Sequence, residues 1–298
     1  MTTSVALCTF NGEKFIEEQL HSILSQEIPV DEIIICDDAS SDDTWVILEK
    51  YKKKHPETIQ IFAGRENLGY VLNFEKALSH CKGDVIFLCD QDDIWYSNKV
   101  LETLQFFEKN SDIGLVAHNL ELSDPSKYKT FWDLKSFKPP EKTLYKKKLL
   151  DQLLITGNVF PGMSLAIKKE LLLQYLPLQK VDSVMIHDFE MIVKSLRDEK
   201  FGIMDKVLGI YRQHDAQSIG YKEGKKPEIN NQTKVHLFSQ HYRQIKKYVE
   251  IFSLNESIAE QYRKEVKEKY ATMLKEIPFF SRLLFHLKNK FYYKIIHF

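Results

Sequence analysis

The sequence predicts an α/β protein built on an open, mostly parallel sheet. Strand-like and helix-like segments alternate from residue 4 to about residue 118, and the strand-like segments are short and almost wholly apolar. Strands of this kind are typical of parallel sheets, because helices cover both faces of such a sheet. In addition, polar residues follow several of the strands, at the positions where open parallel sheets bind their ligands.

The elements can be predicted in chain order. Strands are predicted over residues 4–10, 32–36, 59–62, 84–89 and 114–118. Helices are predicted over residues 15–26, 45–51 and 67–81, from apolar residues at helical spacing, helix-start clusters and the stop signal Gly83. Each predicted helix therefore connects two strands, which is the pattern of a parallel sheet.

The second half of the chain is less regular. Residues 120–145 are polar and are predicted to form a loop. Apolar segments return at 149–155 and 163–167, a helix is predicted after Asp188, and a pair of strands is predicted over 201–211. We expect the sheet to be completed by these segments.

The character of the chain changes after residue 218. A polar linker is predicted over residues 220–231, followed by two Lys- and Glu-rich helical stretches that reach about residue 276. Residues 278–298 are aromatic and basic and contain no acidic residue. A helix of this composition is typical of binding at an anionic membrane surface, and packing on protein is the alternative.

Composition excludes several classes of protein. The 298 residues include 42 basic and 42 acidic ones, so the basic excess of a nucleic-acid-binding protein is absent. The four cysteines form no C-x-x-C pair, and we expect them to be buried and reduced. The first residues lack the features of a signal peptide, and no stretch is apolar enough to span a bilayer. The sequence predicts no particular oligomeric state.

Acidic residues follow two of the predicted strands. Asp37 and Asp38 come directly after the second strand, and Asp90 and Asp92 come after the fourth. Because the carboxyl ends of parallel strands meet at one edge of the sheet, we expect these carboxylates to lie along one rim. Such a rim calls for a cation, and oxygen ligands suit Mg²⁺ or Mn²⁺. Helix capping is the alternative role for acidic residues after strands.

Six segments of the chain together resemble family 2 glycosyltransferases of the GT-A fold. They are TFNGEKFIEEQLHSILSQ (9–26), EIIICDDASSDDT (32–44), ENLGYVLNFEKAL (66–78), GDVIFLCDQDDIW (83–95), MIHDFE (185–190) and YRQH (211–214). The DQDDIW form and the YRQH ending most resemble the branch that includes bacterial rhamnosyltransferases. The resemblance implies a Rossmann-like, mixed and mostly parallel sheet with helices on both faces, plus a helical C-terminal extension.

The resemblance also implies a division into domains. Residues 1–220 would form the catalytic domain, with a nucleotide-sugar-binding half (1–118) and an acceptor half (119–220). Residues 221–298 would form the helical extension with its basic, aromatic tail. The protein would then be cytoplasmic and peripheral on the inner face of the cell membrane.

Roles for single residues come from the resemblance, position by position. Thr9 and Asp38 would hold the base and ribose of the nucleotide. Asp92 of the Asp90-x-Asp92 motif would bind the metal directly, Asp188 would be the general base, and His214 would contact a second metal or the diphosphate. The predicted nucleotide-sugar-binding residues are Thr9, Asn11, Glu13, Asp38, Asn67, Asp90, Gln91 and Trp95. His187, Tyr70 and Trp95 are candidates for the sugar pocket, with plain packing as the alternative for Tyr70 and Trp95.

The implied function is an inverting glycosyltransferase. It would move a sugar from dTDP-rhamnose or a UDP-hexose to a glycan or lipid-linked acceptor in bacterial surface polysaccharide synthesis, with Mn²⁺ or Mg²⁺ as cofactor. The chemistry agrees, because a divalent ion neutralises a diphosphate leaving group and a single carboxylate base without a covalent nucleophile inverts the configuration at C1. The chain departs from the family pattern at Ala39 and at Phe189-Glu190, and the second departure concerns the acceptor pocket.

Other functions fit the sequence less well. A dinucleotide-dependent oxidoreductase needs a glycine-rich turn after the first strand, and residues 11–14 (NGEK) are not one. A receiver domain is shorter than this sheet, and no basic, glycine-rich signature of a nucleotidyltransferase is present near the start. A non-catalytic nucleotide-sugar-binding subunit of a polysaccharide assembly complex is the remaining alternative, against which Asp188 argues.

Overall fold

The computed structural model describes residues 1–139, 145–214, 231–257, 259–264 and 268. They belong to two compact units. The first contains the described residues of 1–150 and 158–222, and the second contains 151–157 and the described residues from 231 onward. The predicted domain boundary near residue 220 lies outside the described residues and stays a prediction.

Eight strands of the first unit form one sheet. They are β1 (Thr3–Thr9), β2 (Glu32–Asp37), β3 (Ile59–Ala63), β4 (Val85–Asp90), β5 (Ile94–Trp95), β6 (Leu115–Leu122), β7 (Leu165–Lys168) and β8 (Phe201–Tyr211). Their order across the sheet is β3-β2-β1-β4-β7-β6-β8-β5. The predicted mixed, mostly parallel α/β sheet is confirmed.

Two short strands run against the others. β1 is parallel to both β2 and β4, and β2 is parallel to β3. β7 is antiparallel to its two neighbours, β4 and β6, so those two run in the same direction, as does β8. β5 is antiparallel to β8. The carboxyl ends of the six aligned strands therefore share one edge of the sheet with the residues that precede β7.

The helices follow the apolar periodicity of the sequence. They are α1 (Ile16–Leu24), α2 (Thr44–Lys54), α3 (Tyr70–His80), α4 (Lys99–Lys109), α5 (Phe131–Leu134), α6 (Tyr145–Thr156), α7 (Lys169–Tyr175), α8 (His187–Arg197) and α9 (Asn231–Ile251). In α1 the buried residues Ile16, Gln19, Leu20 and Ile23 repeat at three- and four-residue spacing, which places them on one face. α3 packs against β1 and β2, and α4 and α8 contact β8.

The region predicted as a loop over residues 120–145 contains regular structure. β6 continues to Leu122, and α5 begins after Thr130, whose side chain accepts the N–H of Asp133 in a reciprocal capping box. Phe131 and Trp132 are buried. The polar composition of this segment concealed a short helix that covers the core with two aromatic side chains.

The predicted strand pair over residues 201–211 is a single strand, β8. The register between β6 and β8 passes from His118–Met204 directly to Asn119–Val207, so Asp205 and Lys206 form an irregularity in the ladder. Both residues are exposed. Two charged residues between apolar runs resemble a hairpin turn in sequence, but here they are accommodated by a bulge.

The second unit is helical where it is described. Ile245, Tyr248 and Phe252 are buried at helical spacing along and just beyond α9. The His241 ring connects two parts of the unit, because its Nε2 lies 3.1 Å from the Leu154 carbonyl oxygen and its Nδ1 lies 2.9 Å from the Tyr262 hydroxyl. Among the described residues, no helix combines the length and apolarity needed to cross a bilayer. The tail, residues 278–298, lies outside the described residues.

We expect the stability of the first unit to depend on the buried strands. Ile34, in β2, has no exposed surface, so Ile34→Ala leaves a cavity and should lower the free energy of unfolding by about 2–5 kcal/mol. The control is Val46→Ala, in α2, where the side chain is 64% exposed. Urea denaturation measures both, and equal effects of the two substitutions would contradict the assignment of β2 to the core.

Candidate active site

Asp37 closes the turn after β2. Its Oδ1 accepts hydrogen bonds from the Thr9 hydroxyl (2.8 Å) and the Ser40 hydroxyl (2.6 Å), and its Oδ2 accepts one from the Ser40 N–H (2.9 Å). Ala39, which precedes Ser40 in this turn, has a positive φ of +62°. The ends of β1 and β2 are thereby joined, and Thr9 lies at this joint.

Asp38 binds the backbone that leads into α3. Its two carboxylate oxygens accept the N–H groups of Leu68 (2.7 Å) and Gly69 (2.9 Å), and the Asn67 side chain donates to the Asp38 carbonyl at 3.3 Å. Asp38 is only 3% exposed. The structure therefore brings together Thr9, Asp38 and Asn67, and their contacts with a nucleotide stay predictions.

Asn11 and Glu13 join the loop after β1 to the loop after β2. Asn11 has a φ of +49°, and its side-chain oxygen accepts the Ser41 N–H at 2.8 Å. Glu13 Oε2 accepts the Asp43 N–H at 3.0 Å. Both residues are exposed beside the rim. Their side chains hold the two loops together and are also accessible to solvent.

Gln91 fastens the end of β4 to the end of β1. Its amide accepts the Phe10 N–H at 2.8 Å and donates to the Phe10 carbonyl at 3.0 Å. Gly12 lies directly beneath, where a Cβ atom would come within 2.2 Å of Gln91 Oε1. The Asn11-Gly12 sequence thus allows the Gln91 amide to approach the backbone.

Asp92 and Asp93 contact the segment after β8. Asp92 Oδ2 lies 2.8 Å from His214 Nε2, and each of these side chains is 18% exposed. Asp93 is 2% exposed and accepts the Arg212 N–H at 3.0 Å. The His214 ring also packs on Phe15, with centroids 4.4 Å apart. The YRQH segment is thereby held against the acidic rim.

The turn before β7 connects Asp90 to Asp188. The Gly162 backbone lies between the two, since a Cβ atom added to it would come 3.5 Å from Asp90 Oδ2 and 3.9 Å from Asp188 Cβ. The backbone of the turn also offsets part of the rise in the pKa of each carboxyl. Asp188 is the second residue of α8, and its Oδ1 accepts the Phe189 N–H at 2.5 Å. The N-cap position is Ile186, so Asp188 lies in the first turn of α8 and does not cap it.

Lys99 supports this turn from below. Its ammonium group has no exposed surface, donates to the Met163 carbonyl at 2.5 Å and lies 4.0 Å from the centroid of the Trp95 ring. Trp95 is 3% exposed and also packs on Phe87. Trp95 is therefore buried beneath the rim, where it packs on Phe87 and Lys99. These contacts are the ones expected of a packing role.

Burial governs the electrostatics of the cluster. It raises the pKa of Asp188 to about 7, and together with the charges of Asp92 and Asp188 it raises the pKa of Asp90 to about 7. Burial also raises the pKa of Asp93 well above its usual range and lowers that of Lys99 to about 7. A buried carboxyl with a pKa near neutrality is typical of general acid–base sites.

Sequence reasoning missed Gly162, Met163 and Lys99. Pro161-Gly162 before an apolar strand indicates a turn, but the antiparallel direction of β7, which brings the turn to the rim, is not encoded locally. Lys99 follows Ser97 and Asn98 at the start of a helix, where a lysine is normally exposed. Its burial had no sequence signal.

Glu190, in the Phe189-Glu190 pair that departs from the family pattern, makes buried polar contacts. Its carboxylate is 2.6 Å from Lys194 Nζ and accepts the Gln179 N–H at 2.8 and 2.9 Å. Glu190 is 1% exposed. It fixes the loop around residue 179 to α8 and is turned away from solvent, and the effect of this departure on the acceptor pocket stays a prediction.

The rim can contribute ligands to a divalent cation but does not form a complete cage. Among the described residues, no group of three or more His, Cys, Asp or Glu side chains could hold a metal by itself. An ion shared with substrate phosphates needs only one or two protein ligands. The half-buried Asp92 carboxylate and the His214 imidazole beside it fit this requirement.

Comparison with known proteins places the sequence in a family. The family model described as glycosyl transferase family 2 matches residues 4–175. The chain belongs to glycosyl transferase family 2. The matched range includes the acidic rim and the Gly162–Met163 turn, and it ends before Asp188 and His214.

Relatives and solved structures agree with this family. The dTDP-rhamnosyl transferase RfbG of Shigella flexneri is 29% identical over 72% of this chain and 73% of its own length. Rv1520 of Mycobacterium tuberculosis, an uncharacterized protein, is 24% identical over 71% of this chain and 58% of its own length.

Two solved structures share the GT-A fold. S. aureus TarS 1–349 in complex with UDP-GlcNAc matches with a TM-score of 0.61 and 19% identity. The match covers 92% of this chain and 72% of the TarS chain. The mannosyltransferase PcManGT of Pyrobaculum calidifontis, with GDP-Man and Mn²⁺, has a TM-score of 0.56, 16% identity, and 99% and 82% coverage. At these identities the likeness shows the fold alone.

The raised carboxyl pKa values predict a pH-dependent stability. Because folded Asp188 binds its proton more tightly than the unfolded chain does, its favourable contribution is full below about pH 4 and is lost as pH rises through about 7. We expect the free energy of unfolding of Asp188→Asn, relative to that of the wild type, to rise between pH 5 and pH 8 by roughly 3 kcal/mol at most.

Urea denaturation without metal at the two pH values measures this difference. Asp205→Asn, at the exposed bulge of β8, is the matched control and should change little at either pH. If the stability difference between Asp188→Asn and the wild type does not vary with pH, the pKa of Asp188 is not raised in the folded protein.

Proposed function

We propose that this chain is an inverting glycosyltransferase that uses a nucleoside-diphosphate sugar as donor. The observation that carries the proposal is the meeting of Asp90 and Asp188 across the Gly162–Met163 turn. One of these carboxylates lies in the acidic rim at the end of β4, and the other begins α8. Glycosyl transfer needs two groups so arranged, one beside the departing diphosphate and one beside the incoming hydroxyl.

The rim at the ends of β1, β2 and β4 would bind the donor. Thr9, Asp38 and Asn67 would contact the nucleotide, and Asn11, Glu13 and Gln91 hold the neighbouring loops. Asp92 and His214 would hold a Mn²⁺ or Mg²⁺ ion at the diphosphate. When bound, such an ion neutralises the negative charge that develops on the leaving diphosphate.

Asp188 would act as the general base. Its buried carboxyl has a pKa raised to about 7 by desolvation, so it both ionises and accepts a proton near neutral pH. It would take the proton of the acceptor hydroxyl as that oxygen attacks C1 of the donor sugar from the face opposite the diphosphate. One displacement without a covalent intermediate inverts the configuration at C1.

The class of donor and acceptor is proposed from the relatives. RfbG is named a dTDP-rhamnosyl transferase, and TuaG of Bacillus subtilis, 34% identical over 41% of this chain and 48% of its own length, is named a putative teichuronic acid biosynthesis glycosyltransferase. We propose dTDP-rhamnose or a UDP-hexose as donor and a glycan or lipid-linked saccharide as acceptor, in bacterial surface polysaccharide synthesis.

The second candidate function is a non-catalytic nucleotide-sugar-binding subunit of a polysaccharide assembly complex. A binding subunit has no use for a buried carboxyl with a pKa near neutrality beside the rim, because burying that charge costs stability. The raised pKa of Asp188 therefore favours the enzyme.

Substitution of the two proposed functional carboxylates should separate binding from turnover. Asp92→Asn removes a charged ligand and should abolish Mn²⁺-dependent donor binding. Asp188→Asn should retain donor binding while the rate of transfer falls by about 10²–10⁴-fold, the usual contribution of a general base. Thermal stabilisation by UDP-glucose, UDP-GlcNAc, GDP-mannose and dTDP-rhamnose with Mn²⁺ identifies the donor and measures binding, because a ligand of the folded state raises the Tm.

Asp205→Asn is again the matched control and should bind and turn over like the wild type. Near-normal transfer by Asp188→Asn would exclude Asp188 as the base. Metal-dependent donor binding by the wild type without hydrolysis or transfer would favour the binding subunit.

We further propose that residues 278–298 attach the enzyme to the inner face of the cell membrane. The support is their composition, in which phenylalanine, leucine and isoleucine occur together with lysine and arginine and no acid occurs. Apolar side chains would enter the interface while the basic ones pair with anionic headgroups. This location would place the active site beside a lipid-linked acceptor.

Deletion of residues 278–298 should abolish co-sedimentation with vesicles that contain anionic lipid. The full chain should bind such vesicles and lose affinity as ionic strength rises, because salt screens the attraction. Zwitterionic vesicles are the control. Binding of the shortened chain at the level of the full chain would show that the tail has another role.

A further inference from the structure

An open apolar groove lies between α3 and the segment that follows α7. Its volume is about 620 Å³, and its apolar lining consists of Leu68, Leu72, Leu176 and Pro177. Leu68 is 41% exposed and Leu72 is 36% exposed. Adjacent apolar side chains left in contact with solvent are typical of surfaces that bind a ligand or a partner. The proposed donor-binding residues and the proposed base include none of these four residues.

Both walls of the groove are fastened to the candidate active site. On one wall, the Leu68 N–H donates to Asp38 Oδ1 at 2.7 Å. On the other wall, the segment after α7 is held to the first turn of α8, because Glu190 Oε1 accepts the Gln179 N–H at 2.8 Å. The groove therefore begins at the rim and lies between elements that are tied to the proposed nucleotide position and to the helix of the proposed base.

The charged residues of the groove are an engaged carboxylate and a lysine that no acid pairs with. Glu75 Oε2 accepts the Leu178 N–H at 3.0 Å, and its Oε1 lies 3.2 Å from Lys180 Nζ. Lys76 Nζ donates to the Ala63 carbonyl at 3.4 Å, and no carboxylate of the described residues pairs with it. Because Ala63 is the last residue of β3, this ammonium group lies at the edge of the sheet that carries the rim.

An apolar surface with a positive charge near the rim fits a hydrocarbon chain that carries a phosphate group. The chain would cover the leucine and proline side chains, and the removal of apolar surface from water is favourable. The phosphate would pair with the Lys76 ammonium group. The hydroxyl groups of a free glycan need hydrogen-bond partners, which the apolar lining does not offer. A lipid-linked saccharide has both the chain and the phosphate.

We propose that this groove binds the hydrocarbon chain and the phosphate of a lipid-linked acceptor. The inference rests on the proposed function, because it chooses between the two classes of acceptor named there. With the chain between α3 and the segment after α7, and with the phosphate at Lys76, the saccharide of the acceptor extends over the rim toward the donor sugar.

Alkyl phosphates of two chain lengths test the apolar part of the groove. Butyl phosphate and octyl phosphate carry the same charged group and differ by four methylene groups. A fully buried methylene group raises the affinity about fourfold, so partial burial in an open groove should make the wild type bind octyl phosphate at least about tenfold more tightly. Isothermal titration below the micelle concentration of octyl phosphate measures both affinities. Saturating UDP and Mn²⁺ keep the alkyl phosphates from the diphosphate position.

Leu72→Gln should lower the affinity for octyl phosphate by about tenfold and leave that for butyl phosphate unchanged, because it removes apolar contacts only. Leu173→Gln is the matched control, since Leu173, on α7, is 64% exposed and does not line the groove. It should change neither affinity. Glutamine is a good helix former, so both variants should keep the Tm of the wild type.

Lys76→Gln tests the charged part of the groove. It should lower the affinities for butyl and octyl phosphate equally, by up to about fivefold, because an exposed ion pair contributes modestly. The affinity for octanol, which has the chain without the phosphate, should not change. An unchanged affinity for both phosphates would exclude Lys76 as the phosphate-binding residue.

Several outcomes would overturn the inference. Equal affinities of the wild type for the two phosphates, or unchanged binding of octyl phosphate by Leu72→Gln, would show that the groove takes no chain. An equal loss in Leu72→Gln and Leu173→Gln would indicate adsorption to any exposed leucine, as at a membrane surface. Displacement of octyl phosphate by UDP would place it at the diphosphate position. A wild-type dimer that Leu72→Gln converts to a monomer in size-exclusion chromatography would assign the groove to a second copy of the chain.

Failure of the inference is distinguishable from failure of the proposed function. Binding of nucleotide sugars without a preference for octyl phosphate would overturn the inference alone. Binding of octyl phosphate that depends on Leu72, in a chain that binds no nucleotide sugar, would reject the proposed function and leave a site for a lipid phosphate.

Discussion

The Gly162–Met163 turn lies between two carboxylates that are costly to ionise together. Asp188 is buried and Asp90 is partly exposed, and the charge of Asp188 raises the pKa of Asp90, since like charges in a medium of low dielectric repel strongly. The Met163 backbone lowers the pKa of Asp90 and the Gly162 backbone lowers that of Asp188, so the turn offsets part of this cost. The buried Lys99 ammonium holds the carbonyl of the same turn and adds a compensating charge beneath it.

The turn can reach both carboxylates because of the direction of β7. In a sheet of parallel strands alone, the residues that precede a strand lie at the edge opposite to the carboxyl ends. β7 runs antiparallel between β4 and β6, so its preceding turn lies at the same edge as Asp90. The change of strand direction in the middle of the sheet is therefore what allows a backbone turn to lie between Asp90 and Asp188.

The sequence was sufficient for the parallel half of the fold and for the position of the acidic rim, because periodicity and strand-end residues are local signals. It was insufficient where long-range pairing decides. The bulge at Asp205 and Lys206 has the composition of a turn and is part of one strand only because β6 pairs on both sides of it. The burial of Lys99 likewise depends on a carbonyl 64 residues away in the chain.

The same residue type has different uses along this rim, and the partners of each carboxylate distinguish them. Asp37, Asp38 and Asp93 direct their oxygens to backbone N–H groups of neighbouring loops, so their negative charge stabilises the turns that frame the site. Asp92 is paired with a side chain, His214, and remains partly exposed, so its oxygens can exchange that partner for a ligand. Counting acids after a strand thus locates a rim, whereas the hydrogen-bond partners of each carboxylate distinguish those that frame the loops from Asp92, which no backbone group of the described residues holds.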